Sequence, residues 1–508
     1  MLFILALLPI ALILFLMVGL RWGAARAGGA GYLSALIIAS LFFGARLELL
    51  AYAHVRALLL SVDVLLIIWA AFLLYRVADE AGAIRTIVQA LPHLTNDIGM
   101  QALIIGWVFA TFLQGVGGFG VPVAVIAPVL VGLGFGPLAA VVIPSIGHGW
   151  AVTFGSLGSS FQALIAATGV PGEVLAPPSA LFLGIAGLFG GWLVAHSVQG
   201  WQGMKRLSLP VLLLGVVMGG VGYVVAVSGL WNIASFVAGI AGLVVCFPLA
   251  KRFQGDKGDN GKLDVPGLMI ALSGYAILIV VILIVSLVPQ IKLLLNQLVL
   301  QVSFPQVSTS LGFVTPAGLG RKISIFGHTG VVLLYASIMA YFVYLKAGKY
   351  RAGALRKILT GTFWRVLSSS VSILSMVTMA VVMENAGMTE TLAKGLAESL
   401  GEIYPFIAPW IGALGAFMTG SNTNSNVVFG GLQLQTALLL GYPAAIILAA
   451  QTAGASLASV MAPTKVVVGA STAGMAGREG DVMRKLIMYT GSLVLLVSLL
   501  TAIAVRLI

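Results

Sequence analysis

Two short stretches bring glycines and polar side chains together inside otherwise apolar surroundings. The first is Gln114-Gly115-Val116-Gly117-Gly118-Phe119-Gly120-Val121-Pro122, and the second is Thr419-Gly420-Ser421-Asn422-Thr423-Asn424-Ser425-Asn426. Glycine permits a break in a helix, and a broken helix frees backbone N–H groups. Those groups and the positive end of the following half-helix attract an anion. The Ser/Thr/Asn run adds hydroxyl and amide groups suited to a carboxylate or a 2-hydroxyl. The candidate ligands for a small anion are therefore Gln114, Gly117, Gly118, Phe119 and Gly120, with Thr419, Ser421, Asn422, Thr423, Asn424, Ser425 and Asn426. The competing role is close helix packing, which also favours Gly and Ser. The glycine run is not a dinucleotide fingerprint, because no strand precedes it and its spacing is wrong.

Two ionisable residues stand out beside these stretches. Lys465, in Ala462-Pro463-Thr464-Lys465, lies between apolar runs with no acid near it in sequence. It would supply countercharge to an anion, or else snorkel to an interface or pair with a distant acid such as Asp63. His148, in Ile146-Gly147-His148-Gly149-Trp150, is the candidate proton carrier, with a structural hydrogen-bonding role as the alternative. Lys465 shares the proton-coupling role only if it can give up its own proton. The five histidines show no zinc spacing, and the single cysteine, Cys246, allows no internal disulfide. No metal or cofactor is expected. Without a Ser/His pair, an acid dyad or a zinc motif, enzymatic chemistry is not expected either.

The elements that must hold these residues are helices in lipid. Of 508 residues, 60% are hydrophobic and only 8% are charged, against about 25% charged in a soluble protein. Apolar runs near spanning length fall at roughly 1–20, 29–44, 57–75, 98–113, 137–153, 178–198, 208–228, 231–250, 265–289, 329–345, 360–383, 404–418, 442–460 and 486–505. Met1–Leu20 lacks a basic n-region and a small-residue cleavage site, so it reads as a retained first helix. Several other runs are short and adjoin glycine-rich stretches, as expected of helices that stop midway through a bilayer. The expected fold is an all-α integral membrane protein of about 12–14 transmembrane helices, some broken or re-entrant. The net charge of +12 is read as topology, not nucleic-acid binding. Lys205/Arg206, Lys251–Lys262 and Lys346–Lys357 mark three cytoplasmic loops, and the uncharged turn at Ser228–Trp231 faces outside.

The chain also repeats itself. Ala81-Gly82 matches Ala386-Gly387, and Phe112-Leu113-Gln114-Gly115 matches Phe417-Met418-Thr419-Gly420, both 305 residues apart. After a small insertion, Gly134-Phe135-Gly136-Pro137 matches Gly441-Tyr442-Pro443. From the basic loops, the helix ending at Tyr75-Arg76 runs inward and that ending at Met383-Glu384 runs outward. Repeats that begin on opposite directions are inverted-topology repeats, the building plan of secondary transporters. The expected organisation is an N-terminal half, 1–250, with a first repeat at about 57–170. A cytoplasmic linker, 251–264, joins it to a C-terminal half, 265–508, with a second repeat at about 360–477. The stretch Val288–Gly327 reads as interfacial or loop-like.

At these stretches the sequence resembles the L-lactate permease family. The resemblance covers nearly the whole chain and is strongest from Leu113 to Gly158 and from Thr419 to Gly480. It is carried by Gly118-Phe119-Gly120-Val121-Pro122-Val123-Ala124, Val131-Gly132-Leu133-Gly134-Phe135, Phe154-Gly155, Thr419-Gly420-Ser421, Ser425-Asn426, Phe429-Gly430, Leu432-Gln433 and Pro463. The resemblance implies a proton-linked importer of lactate or glycolate in the cell (inner) membrane, with paired re-entrant hairpins. Departures are also visible: Gln114 stands where the family usually has a glutamate and Asn422 where it usually has an aspartate. His148 stands at a usual asparagine, and Lys465 at a usual small polar residue. The expected function is alternating-access import of a small 2-hydroxy monocarboxylate, L-lactate, D-lactate or glycolate, coupled to a proton (or sodium). The rival readings are a more highly charged organic anion on the same fold, an exchanger or uniporter without proton coupling, an anion channel, and an intramembrane enzyme.

Overall fold

Backbone in hydrocarbon has no water to satisfy it, so an apolar chain folds into segments that bond internally. The computed structural model describes residues 1–118, 120–253 and 264–507. Phe119 and most of the expected linker lie outside the described residues. Among the described residues, 12 helical segments are long and apolar enough to cross a membrane, within the expected range.

The chain opens with α1 (Leu2–Gly19) and α2 (Ala24–Phe42). The long α3 (Leu47–Glu80) then turns at Ala81-Gly82 into the amphipathic α4 (Ala83–Ala90), whose Ile84, Ile87 and Val88 are buried while Arg85 and Gln89 are exposed. A helical hairpin follows, α5 (Ile98–Val116) and α6 (Val121–Gly132). Next comes a helix in two halves, α7 (Pro137–Gly149) and α8 (Ser159–Thr168). Three long helices, α9 (Gly172–Arg206), α10 (Ser208–Val225) and α11 (Ala234–Arg252), complete the N-terminal half. The C-terminal half starts with α12 (Val265–Leu287), α13 (Pro289–Leu295) and α14 (Thr329–Lys346). The earlier order then recurs. A long α15 (Ala354–Asn385) turns at Ala386-Gly387 into α16 (Met388–Leu400). A hairpin of α17 (Tyr404–Thr419) and α18 (Asn422–Leu439) follows, then a broken pair, α19 (Ala444–Ala458) and α20 (Pro463–Thr472). The last helix is α21 (Glu479–Leu507).

The two long helices that lead these series, α3 and α15, pack along each other in opposite directions. Arg56 near the start of α3 donates to Asn385 Oδ1 at the end of α15 (3.4 Å). Trp69 meets Ser370 in the middle (3.0 Å), and Glu80 at the end of α3 pairs with Lys357 at the start of α15 (3.8 Å). The series also cross-pair: α18 of the second packs on α8 of the first, and α6 of the first packs on α20 of the second.

One part of the molecule departs from all-α. Val288–Gly327, expected as interfacial or loop-like, forms α13 and a β ribbon. In it β1 (Val299–Leu300) pairs with β6 (Ile323–Ser324), β2 (Ser303–Phe304) with β5 (Gly318–Leu319), and β3 (Val307–Ser308) with β4 (Val314–Thr315), all antiparallel. Pro305 and Pro316 have no N–H to give, which cuts the ladder into two-residue pieces. The ribbon is anchored by Asp63, a buried residue of α3. Its carboxylate pairs with Arg321, accepts from His328 Nε2 (2.8 Å), and lies 3.4 Å from Gln162 Nε2 of α8. Asp63 is therefore fully engaged at the ribbon and does not partner Lys465.

Candidate functional site

Each hairpin tip rests on the break of a discontinuous helix. In the first series the chain leaves α5 through Gly117 and Gly118, the latter at φ 55°. A β-carbon at Gly118 would collide with the Ser156 hydroxyl in the α7–α8 break. That break holds three successive left-handed residues, Ser156 (φ 48°), Leu157 (φ 54°) and Gly158 (φ 77°). Non-glycine residues in this region are strained and persist only where the surroundings hold them. Gln114 is buried beside the break, against Gly155, and its Oε1 meets no donor.

The second tip is bonded more closely. Ser421 caps α18 by accepting from the Asn424 N–H (3.2 Å), and Thr419 Oγ1 lies within the tip 2.8 Å from the Gly415 carbonyl and 3.0 Å from the Ser421 carbonyl, either of which accepts its one proton. A β-carbon at Gly420 would stand 2.7 Å from Thr464 Oγ1, so this tip lies on the α19–α20 break. Much of the polar run that follows faces away from open space. Asn422 Nδ2 donates to Thr153 Oγ1 (3.0 Å), and Thr423 shares a bond with Ser160 (3.0 Å). Asn426 Nδ2 donates to the Ser160 carbonyl and to Thr452 Oγ1 (3.0 and 2.9 Å), while Ser425 donates to the Gly412 carbonyl (2.8 Å). These four side chains knit α18 to α8, α17 and α19. The unpaired carbonyl oxygens of Asn422, Asn424 and Asn426 remain buried.

A cavity of about 660 Å³ joins the two tips. Gly120 borders it from the first, and Thr419, Gly420, Ser421 and Asn424 from the second. Thr464 and Lys465, at the start of α20, lie between them. A further wall comes from α15, through Trp364, Arg365, Ser368, Ser369 and Ser372, and Arg26 of α2 closes the rim. Three cations and no acid border the space among the described residues. Lys465 is half-buried, and its Nζ donates to Ser459 Oγ (3.2 Å), with no carboxylate partner among the described residues.

His148 lies at the end of α7, has no exposed surface and is not among the residues that border the cavity. Its Nδ1 is 2.6 Å from the Pro144 carbonyl. A carbonyl only accepts, so Nδ1 carries the proton and the neutral ring keeps its lone pair on Nε2. That Nε2 is buried and meets no partner among the described residues.

Of the residues expected from sequence, the cavity gathers Gly120, Thr419, Ser421, Asn424 and Lys465. Gln114, Gly117 and Gly118 lie at the first break, and Asn422, Thr423, Ser425 and Asn426 in the interface behind the second tip. Phe119 is outside the described residues. Sequence reasoning missed the α15 wall and the hydroxyls at the breaks, Thr153, Ser160 and Thr464. The α15 wall had a legible signal: Arg365, Ser368, Ser369 and Ser372 recur at helical spacing on one face of an apolar span.

A helical membrane core with a cation-lined cavity between hairpin tips has the build of a membrane transporter. The family model for L-lactate permease matches residues 2–508, and the chain belongs to that family. It is 27% identical over 467 residues to the L-lactate permease of Bacillus subtilis, covering 84% of this chain and 82% of that one. It is 29% identical over 456 residues to the glycolate permease GlcA of Escherichia coli, covering 82% and 80%. Among solved structures it is similar to the Alcanivorax borkumensis YdaH transporter, with TM-score 0.49 and 14% identity, covering 87% of this chain and 85% of that one. The chain is thus a multi-pass permease of the cell membrane, not an enzyme, and a small organic anion is its substrate class.

Proposed function

We propose that the chain imports a small 2-hydroxy monocarboxylate, L-lactate, D-lactate or glycolate, by alternating access with a proton moving alongside. The observation that carries this reading is the shared cavity, in which both tips and Lys465 border one acid-free space. The substrate carboxylate sits against Lys465 and the tip of α17–α18, with Gly120 opposite. The relatives' names, L-lactate permease and glycolate permease, support the substrate class. Gln114 and Asn422 are amides, so the proton falls to His148, whose Nε2 offers a buried, unpartnered lone pair. Inverted repeats supply the two alternating states. Their support is the recurring element order, the antiparallel lead helices and the cross-pairing of α18 with α8 and α6 with α20.

The deciding experiment is uptake of labelled lactate and glycolate into proteoliposomes, with and without an inward proton gradient. Accumulation that needs the gradient supports the symporter. Uptake that ignores it makes the chain an exchanger, a uniporter or a carrier coupled to sodium, which a sodium gradient then distinguishes. A second reading is favoured by Arg26, Arg365 and Lys465 around a cavity larger than a three-carbon acid requires. They suit a dianion, and dicarboxylates that drive counterflow better than lactate would establish that reading. An anion channel would give conductance without saturable counterflow.

A further inference from the structure

Helices α11 and α12 follow each other in the chain, yet they hardly meet. α11 packs on α5 and α10, while α12 packs on α4 and α14. Between them lies a separate cavity of about 250 Å³. Its walls are apolar stripes at helical spacing, with Ile240, Val244 and Phe247 on α11 and Leu268, Leu272 and Ile279 on α12. Ile87 and Leu91 of the amphipathic α4 form one side, and Phe112 of α5 closes the back. Among the lining residues only Tyr275 carries a polar side-chain atom. Val244, Phe247, Leu272 and Ala276 are exposed, so the cavity opens at the molecular surface. Both helices are membrane-spanning segments, and that surface therefore meets hydrocarbon.

Water finds no partners in such a space, and a gap left empty forfeits dispersion contacts along all its walls. An acyl chain lying along the helices supplies them. The α12 stripe from Leu268 to Ile279 runs about 16 Å along the helix axis, a groove rather than a pit. The polar end of a lipid has a place as well. Lys251 follows Phe247 by four residues and continues the α11 stripe beyond the cavity. It is exposed, with no acidic partner among the described residues. Asp264, at the start of α12, is turned to the Gly267 N–H of its own helix (3.0 Å). We infer that the cavity between α11 and α12 holds one acyl chain of an anionic phospholipid, with the phosphate at Lys251. The lipid joins the last helix of the N-terminal half to the first helix of the C-terminal half. Walls from four helices make it slow to exchange, unlike lipid that only brushes a helix face.

The test loads membranes holding the full-length chain with phosphatidylglycerol that carries a photoreactive diazirine in one acyl chain. Purification in detergent then strips exchangeable lipid, the sample is illuminated, and adducts are mapped by mass spectrometry. Adducts are expected on the cavity walls and not at exposed positions elsewhere, such as Leu181 and Val216. Ala276→Trp fills the cavity from an exposed position and is expected to abolish the adducts without lowering the melting temperature. Lys251→Gln is expected to reduce them, and it keeps the test valid if Ala276→Trp does not fold. Unlabelled phosphatidylglycerol is expected to compete better than phosphatidylcholine. Adducts spread evenly over exposed residues, or missing from the cavity, overturn the inference, as do adducts that survive Ala276→Trp in a folded protein. Labelling unchanged by Lys251→Gln, or equal competition by the two lipids, overturns the assignment of the phosphate to Lys251.

Discussion

At Lys465 a cation stands beside the second tip with one neutral partner, the Ser459 hydroxyl. A charge-assisted bond to an incoming carboxylate is worth about 1.5–3 kcal/mol. Lys465→Gln is therefore expected to weaken substrate binding roughly tenfold to a hundredfold. Expression and thermal stability of the empty protein should change little, because no ion pair is broken. Binding and melting measured on one preparation separate the two effects. His148 makes a different demand. Glutamine at this position can still donate to the Pro144 carbonyl, but it has no lone pair that takes up a proton near neutral pH. His148→Gln is expected to keep substrate counterflow and lose proton-driven accumulation, and full accumulation in that variant would remove the carrier role.

Among the elements, the fit of the first tip onto the α7–α8 break is the most sensitive. Gly118 has a left-handed backbone and leaves no room for a methyl group beside Ser156. Gly118→Ala is expected to lose transport and to lower stability by about 1–3 kcal/mol, from backbone strain and displacement of the tip. Adding Ser156→Gly removes the colliding hydroxyl and relaxes a second left-handed residue, so the pair should recover part of the loss. A double-mutant cycle of melting temperatures measures that coupling, and simple additivity would mean that tip and break do not meet. The elements themselves were largely legible. Apolar runs, the two Ala-Gly turns and the glycine or polar interruptions are local signals, and they become helices, turns and tips here. Which face each polar residue presents was not legible. Asn422 and Asn424 are both amides of one run, two residues apart, yet one bonds Thr153 at the α7–α8 break and the other borders the cavity. Helical rotation and the partners across the interface decide that. The β ribbon escaped for another reason: its two-residue pairings leave no run of alternating apolar residues to detect.

For the whole molecule, the cavity and the polar seams indicate which way the permease is open. Arg26 borders the cavity from the start of α2, and Arg365 from the first half of α15, whose start follows the basic Lys346–Lys357 loop, the side expected to be cytoplasmic. On the other side α18 is closed onto α8 by the bonds of Asn422, Thr423 and Asn426, with the Asp63 cluster beyond. The only cysteine, Cys246, is buried, so a Cys246→Ala chain carrying Ser369→Cys offers one reactive thiol. A membrane-impermeant thiol reagent is expected to label it from the cytoplasmic face in inside-out vesicles, with substrate slowing the reaction. Labelling only from the opposite face would reverse the assignment. Breaking a buried ion pair by removing one partner is strongly destabilising, by about 3–5 kcal/mol. Asp63→Asn should accordingly loosen the closed side and raise labelling from outside, measured with the same thiol.

The burial of α5 has a consequence for how the protein is made. Every residue from Gly99 to Val116 is buried, so this helix has almost no surface for lipid. Part of its cover is α11, with which it packs face to face. The ribosome makes α11 only after completing α9 and α10, and at about 5–20 residues per second that interval lasts roughly 7–27 s. During it, a segment carrying Gln101, Thr111 and Gln114 has neither its final neighbours nor a clean apolar surface to offer the bilayer. It must be held at the insertion machinery or shielded by a chaperone until the later helices arrive. A ribosome stalled before α11 would leave an inserted but unsealed chain, a ready substrate for membrane quality-control proteases.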